Sequence, residues 1–189
     1  MKILIPLFFC FCTLYGFTQT KIRITSPVSS QSDYQLENIS DTTFIEISHK
    51  EDMGAWYGQS YKIRSSAPDG KYEVYVDKNL ELVAFAKRNQ KDSIWTSYYN
   101  SGQIKSMQTY KDGKENGERI HYYKNGMVLF KAVYRNDKPT GISTTYFETG
   151  KVQVKNYIVD GISVKQEVFD QNGRLKYIYD PKTGTKITK

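Results

Sequence analysis

A block of about 24 residues recurs through the second half of this chain, and that period restricts the fold more than any other feature. Aromatic pairs stand at Tyr98-Tyr99, Tyr122-Tyr123 and Tyr146-Phe147, followed by a weaker Val168-Phe169. A glycine follows each pair at Gly102, Gly126, Gly150 and Gly173, spaced 24, 24 and 23 residues apart. Two residues beyond each glycine is an aliphatic: Ile104, Val128, Val152 and Leu175. Tyr110, Tyr134, Tyr157 and Tyr179 close the blocks, which fall at residues 93–116, 117–140, 141–160 and 161–180. A fixed period of this length marks supersecondary units that cannot bury an apolar face alone and therefore stack. A stacked array is a surface for holding something. The period does not say what.

Inside one unit the pattern is β. Ile120-His121-Tyr122-Tyr123 is strand-prone, and Lys124-Asn125-Gly126 has the composition of a hairpin turn. The returning strand alternates Val128, Phe130, Ala132 and Tyr134 on one face with Leu129, Lys131 and Val133 on the other. The next unit repeats the device as Val152, Val154, Asn156 and Ile158. Asp112-Gly113, Asn136-Asp137-Lys138-Pro139 and Asp160-Gly161 supply turns between units. Hairpin following hairpin predicts an all-β fold, an elongated single-layer antiparallel meander of tandem β-hairpins. Gly102, Gly126, Gly150 and Gly173 are its structural turn residues. With 16 Tyr in the chain, such a sheet covers ring area while leaving hydroxyls wet.

The whole chain divides into four parts. Residues 1–18 have the form of a cleaved signal peptide: Lys2, a 15-residue apolar stretch, then small residues at Gly16 and Thr18. That stretch is shorter than the roughly 20 residues a membrane-spanning helix needs. Both cysteines, Cys10 and Cys12, lie in it, so the cleaved chain is expected to hold no disulfide and no zinc thiolate site. Residues 19–68 read as a polar, mobile leader over 19–40 and short strands at 42–48 and 61–64, joined by a glycine-aromatic stretch at 54–58. Residues 69–180 hold four to five hairpin repeats. The first of them, 69–92, is degenerate, with Asn79 at its turn. Residues 181–189 form a tail, and the end from Ile178, with Pro181 and three lysines, is expected to blunt the sheet edge.

The doublets Tyr98-Tyr99-Asn100-Ser101-Gly102 and Tyr122-Tyr123-Lys124-Asn125-Gly126 resemble the bacterial variant of the MORN (membrane occupation and recognition nexus) repeat. So do the lead-in glycines Gly117 and Gly141 and the tryptophan at Trp95. The resemblance covers residues 69–180 and implies tandem β-hairpins with protein or lipid contact. Relatives of this variant are often labelled antitoxin components of toxin–antitoxin modules. This chain departs from the pattern in three places. Ser93 replaces a leading glycine, the fourth unit starts 20 residues after the third, and Phe169 lies four rather than three residues before Gly173.

No catalytic constellation accompanies the repeats. The chain has no nucleophile elbow, no zinc-protease helix motif, no phosphate loop and no calcium loop, and no cofactor or metal site is expected. His49 and His121 are far apart; His121 stands where other units have Ser97 and Thr145 and reads as a sheet-surface residue. The acids Asp112 and Glu115 read as turn residues. Charge is uneven: residues 1–100 carry 11 Lys+Arg against 11 Asp+Glu, and residues 101–189 carry 16 against 9. The basic half points to an acidic partner, while nothing points to nucleic acid. Three functions follow as expectations. The first is an exported, non-catalytic scaffold that binds a protein at the cell envelope; the others are an anionic lipid- or glycan-binding module and an antitoxin-like immunity protein. Since neighbours on a strand face opposite ways, Tyr98, Tyr122 and Tyr146 should line one face and Tyr99, Tyr123 and Phe147 the other. The second row should be the more buried, leaving Tyr98, Tyr122 and Tyr146 as the candidate binding face.

Overall fold

The computed structural model describes residues 18–24, 45–52, 56–63, 67–76 and 78–188. Their strands are β1 (Thr18–Ile24), β2 (Ile45–Asp52), β3 (Trp56–Ile63), β4 (Gly70–Val76), β5 (Asn79–Lys87), β6 (Gln90–Lys91), β7 (Ser93–Tyr98) and β8 (Ile104–Lys111). They continue as β9 (Lys114–Tyr122), β10 (Val128–Arg135), β11 (Lys138–Tyr146), β12 (Val152–Val159), β13 (Ile162–Phe169), β14 (Leu175–Asp180) and β15 (Thr185–Thr188). From β4 to β15 the chain is an antiparallel meander in a single sheet, with the short β6 paired to β5. β2 and β3 form a separate antiparallel pair.

The N-terminal quarter departs from expectation at several points. Residues 18–24 are not a mobile leader; they form β1, which runs parallel to β4 from Thr18↔Gly70 to Ile24↔Val76. The backbone of β1 pairs with the otherwise open edge of β4, whose amides and carbonyls need partners. The sheet is therefore antiparallel except at this edge. Trp56, Tyr57 and Gly58 belong to β3 rather than to a linker. The β4–β5 hairpin closes with Val76 opposite Asn79, so Asn79 opens a strand, and Lys78 takes the left-handed conformation (φ 73°). At the other end β15 lies within residues 181–189, making the tail an edge strand. The expected signal segment, apart from Thr18, and residues 25–44 lie outside the described residues.

Two turn types alternate along the repeats. At the glycine end, the Tyr123 amide donates to the Met127 carbonyl at 2.8 Å and the Gly126 amide to the Tyr123 carbonyl at 2.9 Å. This is a three-residue loop whose last residue must be left-handed, and Gly126 has φ +83°. Gly102, Gly150 and Gly173 donate to Tyr99, Phe147 and Asp170 in the same way. At the opposite end are two-residue turns with both central residues at positive φ: Asp112-Gly113, Asn136-Asp137 and Asp160-Gly161.

These turns redraw the fourth unit. Gly161 is equivalent to Gly113 and Asp137, each 24 residues apart, so the array does not shorten at Gly161. One residue is missing later, inside β13. Strands β9 and β11 each bulge, opposing four-residue steps (Glu115 to Arg119, Thr140 to Thr144) to two-residue steps on the partner. The bulge of β13 is shorter, with Ser163 and Lys165 against Ile158 and Tyr157. The long bulges contain Gly117 and Gly141. At Gly117 (φ +139°) a Cβ would lie 2.7 Å from the Thr109 Cβ, so the close approach excludes any side chain. Because β13 is short, Phe169 takes the place of Tyr146, and Asp170 that of Phe147. The expected Val168-Phe169 doublet is thus a Phe169-Asp170 doublet.

Packing is concentrated at the start of the sheet. Ala67, Tyr72, Val74, Leu82, Ala84, Ala86 and Trp95 form one buried cluster, with Ile63 and Tyr110 against it. Past Trp95, Ala132 and Ile158 are the buried apolar residues.

Candidate functional site

The strand register sorts the repeat side chains onto two faces. One carries Trp95, Ser97, Tyr110, Glu115, Arg119, His121, Ala132, Tyr134, Ser143 and Ile158, and may be named for its tryptophan. The other carries Tyr98, Tyr122 and Tyr146. On this tyrosine face the strand ends form a row in which aromatic and aliphatic residues alternate: Tyr98 opposite Ile104, Tyr122 opposite Val128, Tyr146 opposite Val152, Phe169 opposite Leu175. With strands about 4.8 Å apart, successive rings are about 10 Å apart.

Burial does not separate the two tyrosine rows; all six rings, Tyr98 through Phe147, are half-buried. Hydrogen bonding separates them. The Tyr99 hydroxyl donates to the Tyr122 carbonyl at 2.6 Å, and the Tyr123 hydroxyl to the Tyr146 carbonyl at 2.7 Å. The second row is therefore a set of latches between units. It ends at Phe147, which has no hydroxyl. At Asp170 a carboxylate takes over locally, accepting from the Asn172 and Arg174 amides at 2.9 Å each, and these amides hold its pKa below the usual range. In the first row, Tyr122 reaches Met107 Sδ at 3.8 Å.

Tyr157 is not the counterpart of Tyr110 and Tyr134. The residue 24 beyond Tyr134 is Ile158, which is buried on the tryptophan face. Tyr157 is opposite Lys165 on the tyrosine face, its hydroxyl donating to Glu167 at 3.0 Å and the Lys165 ammonium 3.9 Å from its ring centre.

Sequence reasoning missed a polar cluster on the tryptophan face. Glu115, taken for a turn acid, is a buried strand residue; Asp112 does lie in a turn. Arg119 grips Glu115 with two nitrogens, Nε to Oε1 at 2.6 Å and Nη2 to Oε2, and donates through Nη1 to the Tyr134 hydroxyl at 2.8 Å. Lys91 caps the cluster, 4.8 Å from the Trp95 ring centre and 4.7 Å from that of Tyr110. Burial pushes Glu115 up against the pull of Arg119, and lowers Lys91 against the pull of Glu115 and Asp137. The Tyr110 phenol is pushed up to about 12, mainly by burial. His121 is no open surface residue. Its ring centre is 5.8 Å from that of Phe130, and burial, with Arg119 and Lys105, pushes its pKa down to about 4. The i, i+4 pair Glu115/Arg119 was the available signal, but on a strand that spacing also places both residues on one face.

The cluster consumes its own charges, so its chemistry is that of packing. Among the described residues no group of three or more His, Cys, Asp or Glu is placed to hold a metal ion.

Residues 91–112, 115–136 and 139–160 each match the MORN repeat variant. The outer units, 69–92 and 161–180, have the hairpin architecture but lie outside those matches. No curated protein matches the chain. A solved structure of accessory secretory proteins 1, 2 and 3 from Streptococcus pneumoniae is similar at 15% identity and a TM-score of 0.33. The likeness covers 60% of this chain and 24% of that one, so this chain spans about a quarter of that chain's length. The meander of hairpins and the three matched blocks together make this a chain with tandem MORN-variant repeats over residues 91–160.

Proposed function

We propose that the protein is an exported, non-catalytic scaffold that binds a protein partner at the cell envelope through the row Tyr98, Tyr122 and Tyr146. One observation carries the reading: the two tyrosine rows have different duties. Tyr99 and Tyr123 use their hydroxyls to join units. Among the described residues, Tyr98 and Tyr146 donate to no protein atom, yet tyrosine recurs there. Amphipathic rings at a regular spacing suit recognition, since each offers apolar area and a hydroxyl at small entropic cost. Export rests on the leader-like residues 1–18.

The test is Tyr122→Ser with Tyr146→Ser, probed by pull-down from envelope extracts. Saturable binding by the parent, lost in the variant with folding intact, supports the reading. Binding that survives, or repeated failure of the parent to retain a partner, rejects it.

A second reading draws on Lys131, Lys155 and Lys165, which share the tyrosine face with the acids Glu118 and Glu167. On it, the row binds an anionic lipid or glycan surface. Cosedimentation with anionic vesicles or envelope polymer should then fall steeply as salt rises. Absence of binding at low salt rejects this second reading.

A further inference from the structure

The loops at the glycine end share one geometry, and two of them carry the same dipeptide, Asn125-Gly126 and Asn172-Gly173. Both glycines are left-handed, at φ +83° and +86°, with open space at the Cβ position. Both glycine amides donate to the carbonyl three residues back. The loops differ in one duty, because the amide after each glycine also needs an acceptor. At the first loop Asn125 supplies it. Its Oδ1 accepts from the Met127 amide at 2.9 Å, while its Nδ2 donates to the Glu148 carbonyl of the next unit at 3.3 Å. At the second loop Asp170 supplies it, accepting from the Arg174 amide at 2.9 Å. Asn172 is thereby released. It is exposed, and among the described residues its side chain holds no hydrogen bond. The short bulge of β13, which puts a carboxylate where Tyr99 and Tyr123 stand, frees the asparagine two residues on.

We infer that Asn172 is a site of spontaneous deamidation, with water as the co-reactant. The Gly173 nitrogen gives up its proton and attacks Asn172 Cγ. The N–Cγ bond forms, the Cγ–Nδ2 bond breaks, and Nδ2 leaves as ammonia with that proton. Water then opens the cyclic imide at either of its carbonyls, giving aspartate or isoaspartate; nothing is oxidised or reduced. Glycine suits the attacking position because no Cβ shields its nitrogen. Ring closure needs the asparagine Cγ to swing onto that nitrogen in an aligned geometry. Asn172 swings without breaking a side-chain contact. Asn125 must first give up both of its side-chain hydrogen bonds, which slows it by about tenfold. Position in the array acts in the same direction, since local opening is easier near an end. The Asn172 loop joins β13 and β14 with β15 alone beyond them, whereas the Asn125 loop joins β9 and β10 in the interior. Asn116-Gly117, the third such dipeptide, lies within β9, where Thr109 crowds the Gly117 backbone. Reaction at Asn172 places a second carboxylate near Asp170. As isoaspartate it also lengthens the main chain by one carbon, in a loop that the Asp170 amide closes onto the Arg174 carbonyl at 2.9 Å.

The test is a time course of the full chain in warm, mildly alkaline buffer, with peptide mapping to count aspartate and isoaspartate at each site. Asn172 should convert about tenfold faster than Asn125, and Asn116 should lag behind both. In denaturant the three sites should react at similar rates, since each is then a free Asn-Gly pair. Asp170→Tyr restores the residue type of the earlier units and takes the acceptor away from the Arg174 amide. Asn172 Oδ1 should then accept that bond, and conversion at Asn172 should slow several-fold while Asn125 keeps its rate. Equal rates at Asn172 and Asn125 in the folded chain, or faster conversion of Asn125, overturn the inference. So does a folded chain that stays unconverted at Asn172 while the denatured chain reacts. An Asp170→Tyr chain that converts at Asn172 as fast as the parent, or faster, overturns it as well. None of these outcomes bears on the tyrosine row, which is tested by its own variants.

Discussion

The start of the sheet and the repeats that follow it solve one problem by different means. In β4, β5 and β7, side chains such as Tyr72, Val74, Leu82 and Ala84 are almost wholly removed from water, and the strands cohere through a packed cluster. From β8 onward most side chains are half-buried, and cohesion is spread over the ladder, the latches of Tyr99 and Tyr123, and the Arg119–Glu115–Tyr134 cluster. The first region resembles a small globular core. The second behaves as a one-dimensional array in which each unit leans on its neighbours. The contrast teaches where a substitution should be felt globally and where only locally.

Trp95 is the hinge of the comparison, and its loss should have the largest effect. Its ring is 2% exposed, meets Tyr110 edge-on at 5.6 Å, and donates from Nε1 to the Phe85 carbonyl at 2.9 Å. Trp95→Ala should cost about 3–5 kcal/mol in urea unfolding, because it empties a packed site and removes one of the two hydrogen bonds to the Phe85 carbonyl, which keeps the Asp92 amide. A cost below about 1 kcal/mol would mean that the first region is no better packed than the second.

Turn geometry should come next. Gly126 has open space around its Cβ position but a φ of +83°, so Gly126→Val strains the backbone without a clash. The expected penalty is on the order of 1–3 kcal/mol, and hydrogen exchange should locate it in β9 and β10 while β4 and β5 stay protected. Uniform loss of protection would show that the array and the core unfold as one body.

Acid offers a third way to separate the regions. The folded pKa of His121, about 4, lies below its ordinary 6.5, so the fold prefers the neutral ring. This stabilisation is complete above pH 6.5 and is lost as pH falls from 6.5 through 4. After allowance for partial solvent screening it amounts to about 2 kcal/mol. His121→Phe should flatten the stability profile over that range, and a variant that tracks the parent would assign acid sensitivity to other groups.

The repeat half was legible because its signals are local: glycine turns, alternating strands and a near-constant period. Errors entered where one residue more or less changes which face a side chain takes. The shortened bulge in β13 disguised Phe169-Asp170 as Val168-Phe169, and the tyrosine at Tyr157 masked the true equivalence of Ile158 with Tyr134. The Arg119–Glu115–Tyr134 cluster was illegible because its members come from two strands and look ordinary on each. Parallel pairing of β1 with β4 joins segments about 50 residues apart, and no local pattern announces it.

The latches give the smallest effect and the finest test of the array picture. Tyr123→Phe removes a hydroxyl that donates to the Tyr146 carbonyl, and should cost about 1 kcal/mol, the net worth of one hydrogen bond. Tyr146→Phe removes a hydroxyl with no such duty and should be nearly neutral. The two variants change the same chemical group on adjacent units, so their difference isolates the latch from ring burial. Hydrogen exchange should also show the Tyr123→Phe loss confined to the junction of β9 and β11 through β10, since an array passes strain only to its neighbours. Equal effects from the two variants would mean that the rows are interchangeable, and the division of labour on which the binding face rests would fall with them.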